Sequence, residues 1–241
     1  MKKLILYASS VILLALLWQL RAYQIQNPLI FPYLDAIFTS LYELLLDLST
    51  YHIILMSLMR LLIAFILASI IGIALGLIGG INASFNHFLT PLISGLRSLP
   101  VASLIVIFLM LYGPNRAIYI IVFLMIFPIV YEASRRGVLS IDPAITQALK
   151  LEPLRPLKKI ILMHLPLALP NIKSGAIQSI GLGFKVLVMA EFIGQAQNSI
   201  GRMIYIGRIN LDYGLVIAWT IIIILLVLSL EILLYNIEEK T

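Results

Sequence analysis

Lys185 and Glu191 stand inside one apolar run of the chain, and Arg60 stands at the start of another. An ionised side chain in hydrocarbon costs a few kcal/mol by insertion scales, so such groups face a bundle interior or a water-filled cavity. Six residues apart, Lys185 and Glu191 point about 120° away from each other on a 3.6-residue helix, which argues against a direct pair within the helix. Two readings stay open. Either each pairs with backbone or a neighbouring span, or the two line a translocation pathway in which Lys185 lends positive potential to an anion. Arg60 and Arg97 are expected at the membrane interfaces, with long side chains reaching headgroups or water.

Bond-making chemistry has no such footing. The chain holds no G-x-x-x-x-G-K-[ST] phosphate loop, no H-E-x-x-H and no G-x-S-x-G. His52, His87 and His164 are far apart, and the absence of cysteine removes thiolate metal sites and thiol nucleophiles together. No catalytic residue, metal or cofactor is therefore expected in this chain. His164, beside Leu165-Pro166, is expected to be a structural residue at a membrane boundary.

The elements that must position these groups are membrane helices. Of 241 residues, 61% are hydrophobic and 12% charged, against about 45–50% and about 25% in soluble domains. Leu4–Leu20, Leu61–Ile81 and Leu215–Leu230 carry no charge at all. This excludes a water-soluble domain, a disordered chain and a disulfide-stapled secreted module. Barrel strands would alternate over about ten residues, so an outer-membrane barrel is excluded too. The net charge of +6 reports topology rather than nucleic acid, because the basic residues are not interleaved with aromatics on a soluble face.

At about 20 apolar residues per crossing, an all-α polytopic membrane protein emerges, a single domain over 1–241. Its six spans fall at about 4–20, 54–81, 92–112, 117–131, 172–193 and 214–235. The first run ends Trp18-Gln19-Leu20-Arg21 rather than in a small-x-small cleavage site, so it reads as a retained span. With the N-terminus inside, ten Lys and Arg lie on the cytoplasmic side against four outside, which favours both termini in the cytoplasm. Residues 33–49 read as an external amphipathic helix. Gly72, Gly76 and Gly80, and Gly175, Ser179 and Gly183, form small-residue stripes suited to close packing within the subunit or across a dimer.

The longest inside segment, 132–170, has the marks of a docking surface. Asp142-Pro143 opens a short helix over Ala144–Leu151, Pro153 and Pro156 break it, and Leu157–His164 forms a second. An ordinary basic loop holding topology is the other reading of this composition. The segment resembles the cytoplasmic loop of permease subunits of binding-protein-dependent ABC importers. Their pattern is Glu-Ala-Ala, three residues, Gly, nine residues, Ile-x-Leu-Pro. Ala148 and Leu165-Pro166 match, whereas Gln147, Leu149, Pro153 and Met163 depart. Proline fixes φ near −65°, so the turn at Pro153 cannot be the usual glycine turn.

The flanks strengthen the resemblance. Arg60-Leu-Leu-Ile-Ala-Phe, Gly72-Ile-Ala-Leu-Gly76, Leu96-Arg97-Ser98-Leu99-Pro100, Leu165-Pro166-Leu-Ala-Leu-Pro170 and Ala190-Glu191-Phe-Ile-Gly194 look like the nitrate/sulfonate/taurine-type branch, in its order and spacing over about 54–235. The resemblance implies the type I ABC importer permease fold in a bacterial or archaeal cytoplasmic (inner) membrane. It implies a second permease copy as a homodimer, two ABC ATPase subunits that bind ATP and Mg, and an extracytoplasmic solute-binding protein. Gln147, Ala148, Leu149, Leu151, Pro153, Leu154 and Arg155 would dock the ATPase, and the solute would be small, for instance an anion such as nitrate, sulfonate or taurine. An ATPase-independent secondary transporter or channel is the competing class, but it leaves the long cytoplasmic segment without a role. An intramembrane enzyme is a third class, opposed by the missing nucleophile and metal patterns.

Overall fold

The computed structural model describes residues 2–151 and 153–239, without the side chains of 2–5, 7, 8, 11, 148–150 and 233–239. All regular structure among the described residues is helical: α1 (Lys2–Ile25), α2 (Leu34–Leu46), α3 (Leu48–Ile81), α4 (Ala83–Ser98), α5 (Val101–Leu139), α6 (Pro143–Leu151), α7 (Pro156–Lys159), a π turn (Ile160–His164), α8 (Leu165–Gly194), α9 (Ile200–Ile209) and α10 (Tyr213–Glu239). Four stretches are long and apolar enough to cross a membrane, namely Leu48–Ile81, Val101–Leu139, Pro156–Gly194 and Tyr213–Ile232. A shorter apolar stretch, Ile12–Ile25, lies in α1.

The helix boundaries differ from the hydropathy expectation in two places. The stretch expected as one span at 92–112 is divided between the end of α4 and the start of α5, because Pro100 sits at the α5 N-cap rather than inside a helix. The stretch at 117–131 belongs to the second leg of α5. The two legs meet at Gly113 (φ 72°, ψ 167°), a conformation that suits glycine and the extended backbone required before Pro114. Within 132–170, α5 continues to Leu139 and helix resumes at Pro156, on either side of α6. Glu132 carries α5 beyond its apolar stretch by pairing with Arg135 and Arg136 at i,i+3 and i,i+4.

The amphipathic helix expected over 33–49 is α2, whose C-cap is Asp47. That residue then caps α3, accepting from the Ser49 amide. The Ser49 hydroxyl and amide hold the Asp47 carboxyl below its usual range.

α5 is the central post. Ile118, Ile121, Val122, Ile126 and Val130 on it are wholly buried. α3 lies on one side through Gly72, Gly76 and Gly80, where an added Cβ would run into Val130, the Tyr131 carbonyl and Val138 respectively. α8 lies on another side: a Cβ at Gly175 would run into the Ala133 Cβ, and one at Gly183 would come within 2.6 Å of Ile126. Both small-residue stripes thus sit at seams inside this subunit. The Ser179 hydroxyl bonds back to the Ala176 carbonyl of its own helix.

Candidate functional site

Two polar clusters stand out against the apolar bundle. In the first, Glu191 of α8 is 0% exposed and Arg60 of α3 is 6% exposed, with Arg60 Nη1 3.0 Å from Glu191 Oε1. The Ser57 hydroxyl donates into the same carboxylate, 2.9 and 3.0 Å from its two oxygens. The Gly201 amide donates to Oε2 at 3.2 Å. Arg60 also donates to the Gln197 and Asn198 carbonyls, and the Ile200 amide donates to Ser57 Oγ.

The result ties the 195–199 corner between α8 and α9 to α3. That corner is tight: Gln195 and Asn198 have φ of 51° and 49°, and Ser199 caps α9 by accepting from the Arg202 amide. The interfacial placement expected for Arg60 is therefore wrong. Its side chain is drawn inward by a carboxylate 131 residues away. A buried ion pair persists only where its remaining donors and acceptors find partners; here both carboxylate oxygens and both terminal guanidinium nitrogens have them.

The second cluster is open. A cavity of about 510 Å³ lies between α4, α5 and α8, lined by Arg97, Glu132, Arg136, Asn171, Ser174 and Gln178, with Leu96, Met125, Ile129 and Leu182 among its apolar walls. Glu132 accepts from Arg135 Nη2 and Arg136 Nε, both at 2.8 Å, and from Arg135 Nε at 3.0 Å. Arg97 also borders a smaller cavity of about 370 Å³, shared with Asn86, His87, Thr90, Tyr131 and Arg135.

Lys185 and Glu191 are not brought together. Lys185 is exposed on α8, two turns beyond Gln178 on the same face, since a seven-residue step drifts only about 20°. Glu191 is closed inside the first cluster. A further carboxylate, Glu231 of α10, rests against Gly181 of α8. Distant partners such as Ser57 carry no sequence signal, but the seven-residue spacing of Asn171, Gln178 and Lys185 was available in the sequence and marks the cavity face.

The segment expected to dock an ATPase lies between α5 and α7. Leu151 is 86% exposed, Pro153 and Arg155 are exposed, and Leu154 is half-buried. Gln147 lines a groove of about 450 Å³ between α6 and the ends of α3 and α5, with Thr146, Lys159 and the buried His164. The side chains of Ala148 and Leu149 lie outside the described residues. His164 Nδ1 is 3.2 Å from the Lys159 carbonyl within the π turn, in keeping with a structural residue. No group of three or more His, Asp or Glu placed to hold a metal occurs among the described residues.

Residues 69–241 match the family described as binding-protein-dependent transport system inner membrane component. The chain is 28% identical to a protein of Methanocaldococcus jannaschii named as an ABC transporter permease, over 99% of this chain and 91% of that one. It is 24% identical to the taurine transport system permease of Escherichia coli, over 95% and 85% of the two chains. Further matches, covering shorter parts, are named for bicarbonate, aliphatic sulfonates, nitrate and glycine betaine/proline betaine. A methionine ABC transporter solved in inward facing conformations shares the fold, with a TM-score of 0.65 at 16% identity over 81% of this chain and 99% of that one. The type I importer permease fold expected from the resemblance is the fold observed.

Proposed function

The chain belongs to the family of binding-protein-dependent transport system inner membrane components, and we propose that it is the permease subunit of an ATP-driven ABC importer. It is a multi-pass membrane protein of the nitrate, bicarbonate, sulfonate and taurine permease branch. The reading places it in the cytoplasmic membrane of a bacterium or archaeon as a six-span homodimer with both termini inside. An extracytoplasmic binding protein delivers a small solute, an anion such as nitrate, a sulfonate or taurine.

ATP and Mg belong to two ATPase subunits, and this chain moves solute without making or breaking a bond in it. The observation that carries the coupling is α6, a short helix with Leu151 exposed between two membrane helices. An apolar side chain amid basic residues suits a docked interface. Residues Gln147 to Arg155 would seat it on the ATPase. Replacement of Glu by Gln147 keeps hydrogen-bonding capacity while removing a charge.

The mechanism follows from rigid parts. ATPase closure moves α6, and α6 is joined to α5 and, through α7 and the π turn, to α8. α5 and α8 are locked at Gly175 and Gly183, so a displacement at α6 would reach both walls of the cavity together. In proteoliposomes holding permease, ATPase and binding protein, ATP-driven uptake of the solute that stabilises the binding protein is expected. Leu154→Asp should abolish uptake and ATPase association while leaving membrane insertion intact. Unchanged association in that variant would overturn the docking assignment.

A further inference from the structure

Building on the importer reading, we propose that the cavity between α4, α5 and α8 is an oxyanion site within each subunit, with Arg97 as the charge that holds the anion and Gln178 as its neighbouring donor. From Met125 to Arg136 on α5, and from Asn171 to Leu182 on α8, the lining spans eleven residue steps, or about 16 Å at 1.5 Å per step. That is about half of the roughly 30 Å hydrocarbon core. The cavity is thus a deep vestibule rather than a surface dent.

Its charge balance decides the ligand class. One carboxylate, Glu132, faces three guanidiniums, and both of its oxygens are taken by Arg135 and Arg136. Positive charge is left over, and it rests on Arg97, which makes no hydrogen bond or ion pair with the described residues. Gln178 likewise has none. A guanidinium presents a planar fork of donors that fits a carboxylate, sulfonate or nitrate edge, and an amide adds one more. A cation would meet net repulsion, and a purely apolar solute would leave these donors unused. Along α8, Lys185 continues the same face beyond Gln178, giving the anion a second charge further into the membrane.

The test uses the absence of cysteine from the chain. A Gln178→Cys variant, expressed with its ATPase in open membrane fragments, is labelled by an anionic sulfonatoethyl and a cationic trimethylammonioethyl methanethiosulfonate. The anionic reagent should react faster. Arg97→Gln should lower the anionic-to-cationic rate ratio by roughly tenfold, and Arg97→Lys should largely keep it. A Thr39→Cys reference on exposed α2 should show no dependence on Arg97. Methanesulfonate should slow labelling at position 178, whereas an equal concentration of chloride should not.

A ratio indifferent to Arg97 would overturn the site, and equal protection by chloride would overturn the oxyanion class. Neither arm needs ATP hydrolysis. Lost anion preference with intact ATP-driven uptake therefore removes only the site, while intact preference without such uptake removes only the importer reading.

Discussion

Arg60–Glu191 and Arg97–Glu132–Arg136 are built from the same residue types, and they end in opposite states. In the first, one carboxylate meets one guanidinium, a hydroxyl and a backbone amide, all buried, and the guanidinium donates to two carbonyls besides. Buried at 0% and 6% exposure, Glu191 and Arg60 present almost no surface to a solute. In the second, the carboxylate is outnumbered, water can enter, and one guanidinium has no partner among the described residues. Charge inside a membrane bundle is therefore no guide to function until its partners are counted. The closed cluster holds the fold, and the open one can hold a ligand.

The contrast can be broken most severely at Glu191. Glu191→Ala should strand Arg60 as a buried unpaired charge and cost about 3–5 kcal/mol, read as a large drop in thermal unfolding temperature in detergent. Replacing both partners together, Arg60→Met with Glu191→Leu, should recover most of that loss; a double variant as unstable as the single one would show that the corner needs the charge itself. Next in size, Gly76→Val should force α3 away from the Tyr131 carbonyl and cost at least ~1–3 kcal/mol by overpacking, in the same unfolding assay.

Smaller effects sharpen the comparison. Ser57→Ala should cost about 1–2 kcal/mol, because the Ile200 amide and the Glu191 carboxylate each lose a buried partner. Glu132→Gln sits at the other end of the scale. Its pairs are partly exposed, so stability should change by less than about 1 kcal/mol. The preference of a cysteine at position 178 for an anionic thiol reagent should rise, as a negative charge leaves the cavity. A fall in unfolding temperature comparable to that of Glu191→Ala would erase the distinction between the two clusters.

Much of this was legible from residue order. Charge-free runs announce membrane helices, Asp142-Pro143 opens α6 near its observed start, and glycine steps of four mark the seams on α5. The partner of Glu191 was not legible: Arg60 lies 131 residues away, and its neighbours read equally well as an interfacial anchor. Helix boundaries fall at Pro100 and Gly113, where local backbone geometry, not hydropathy, sets the break. Arg97 was visible as a charge, but its lack of a partner depends on Glu132 being occupied by Arg135 and Arg136, which only the folded chain reveals.

The importer reading is tested most directly by the mass of the native assembly. The full-length permease, expressed with its neighbouring genes and released gently from the membrane, is weighed intact by native mass spectrometry. Two permease copies with two ATPase subunits carrying a phosphate loop is the predicted composition. A permease that comes out alone, under conditions that keep other membrane complexes whole, would contradict it and turn attention to a transporter that works without an ATPase.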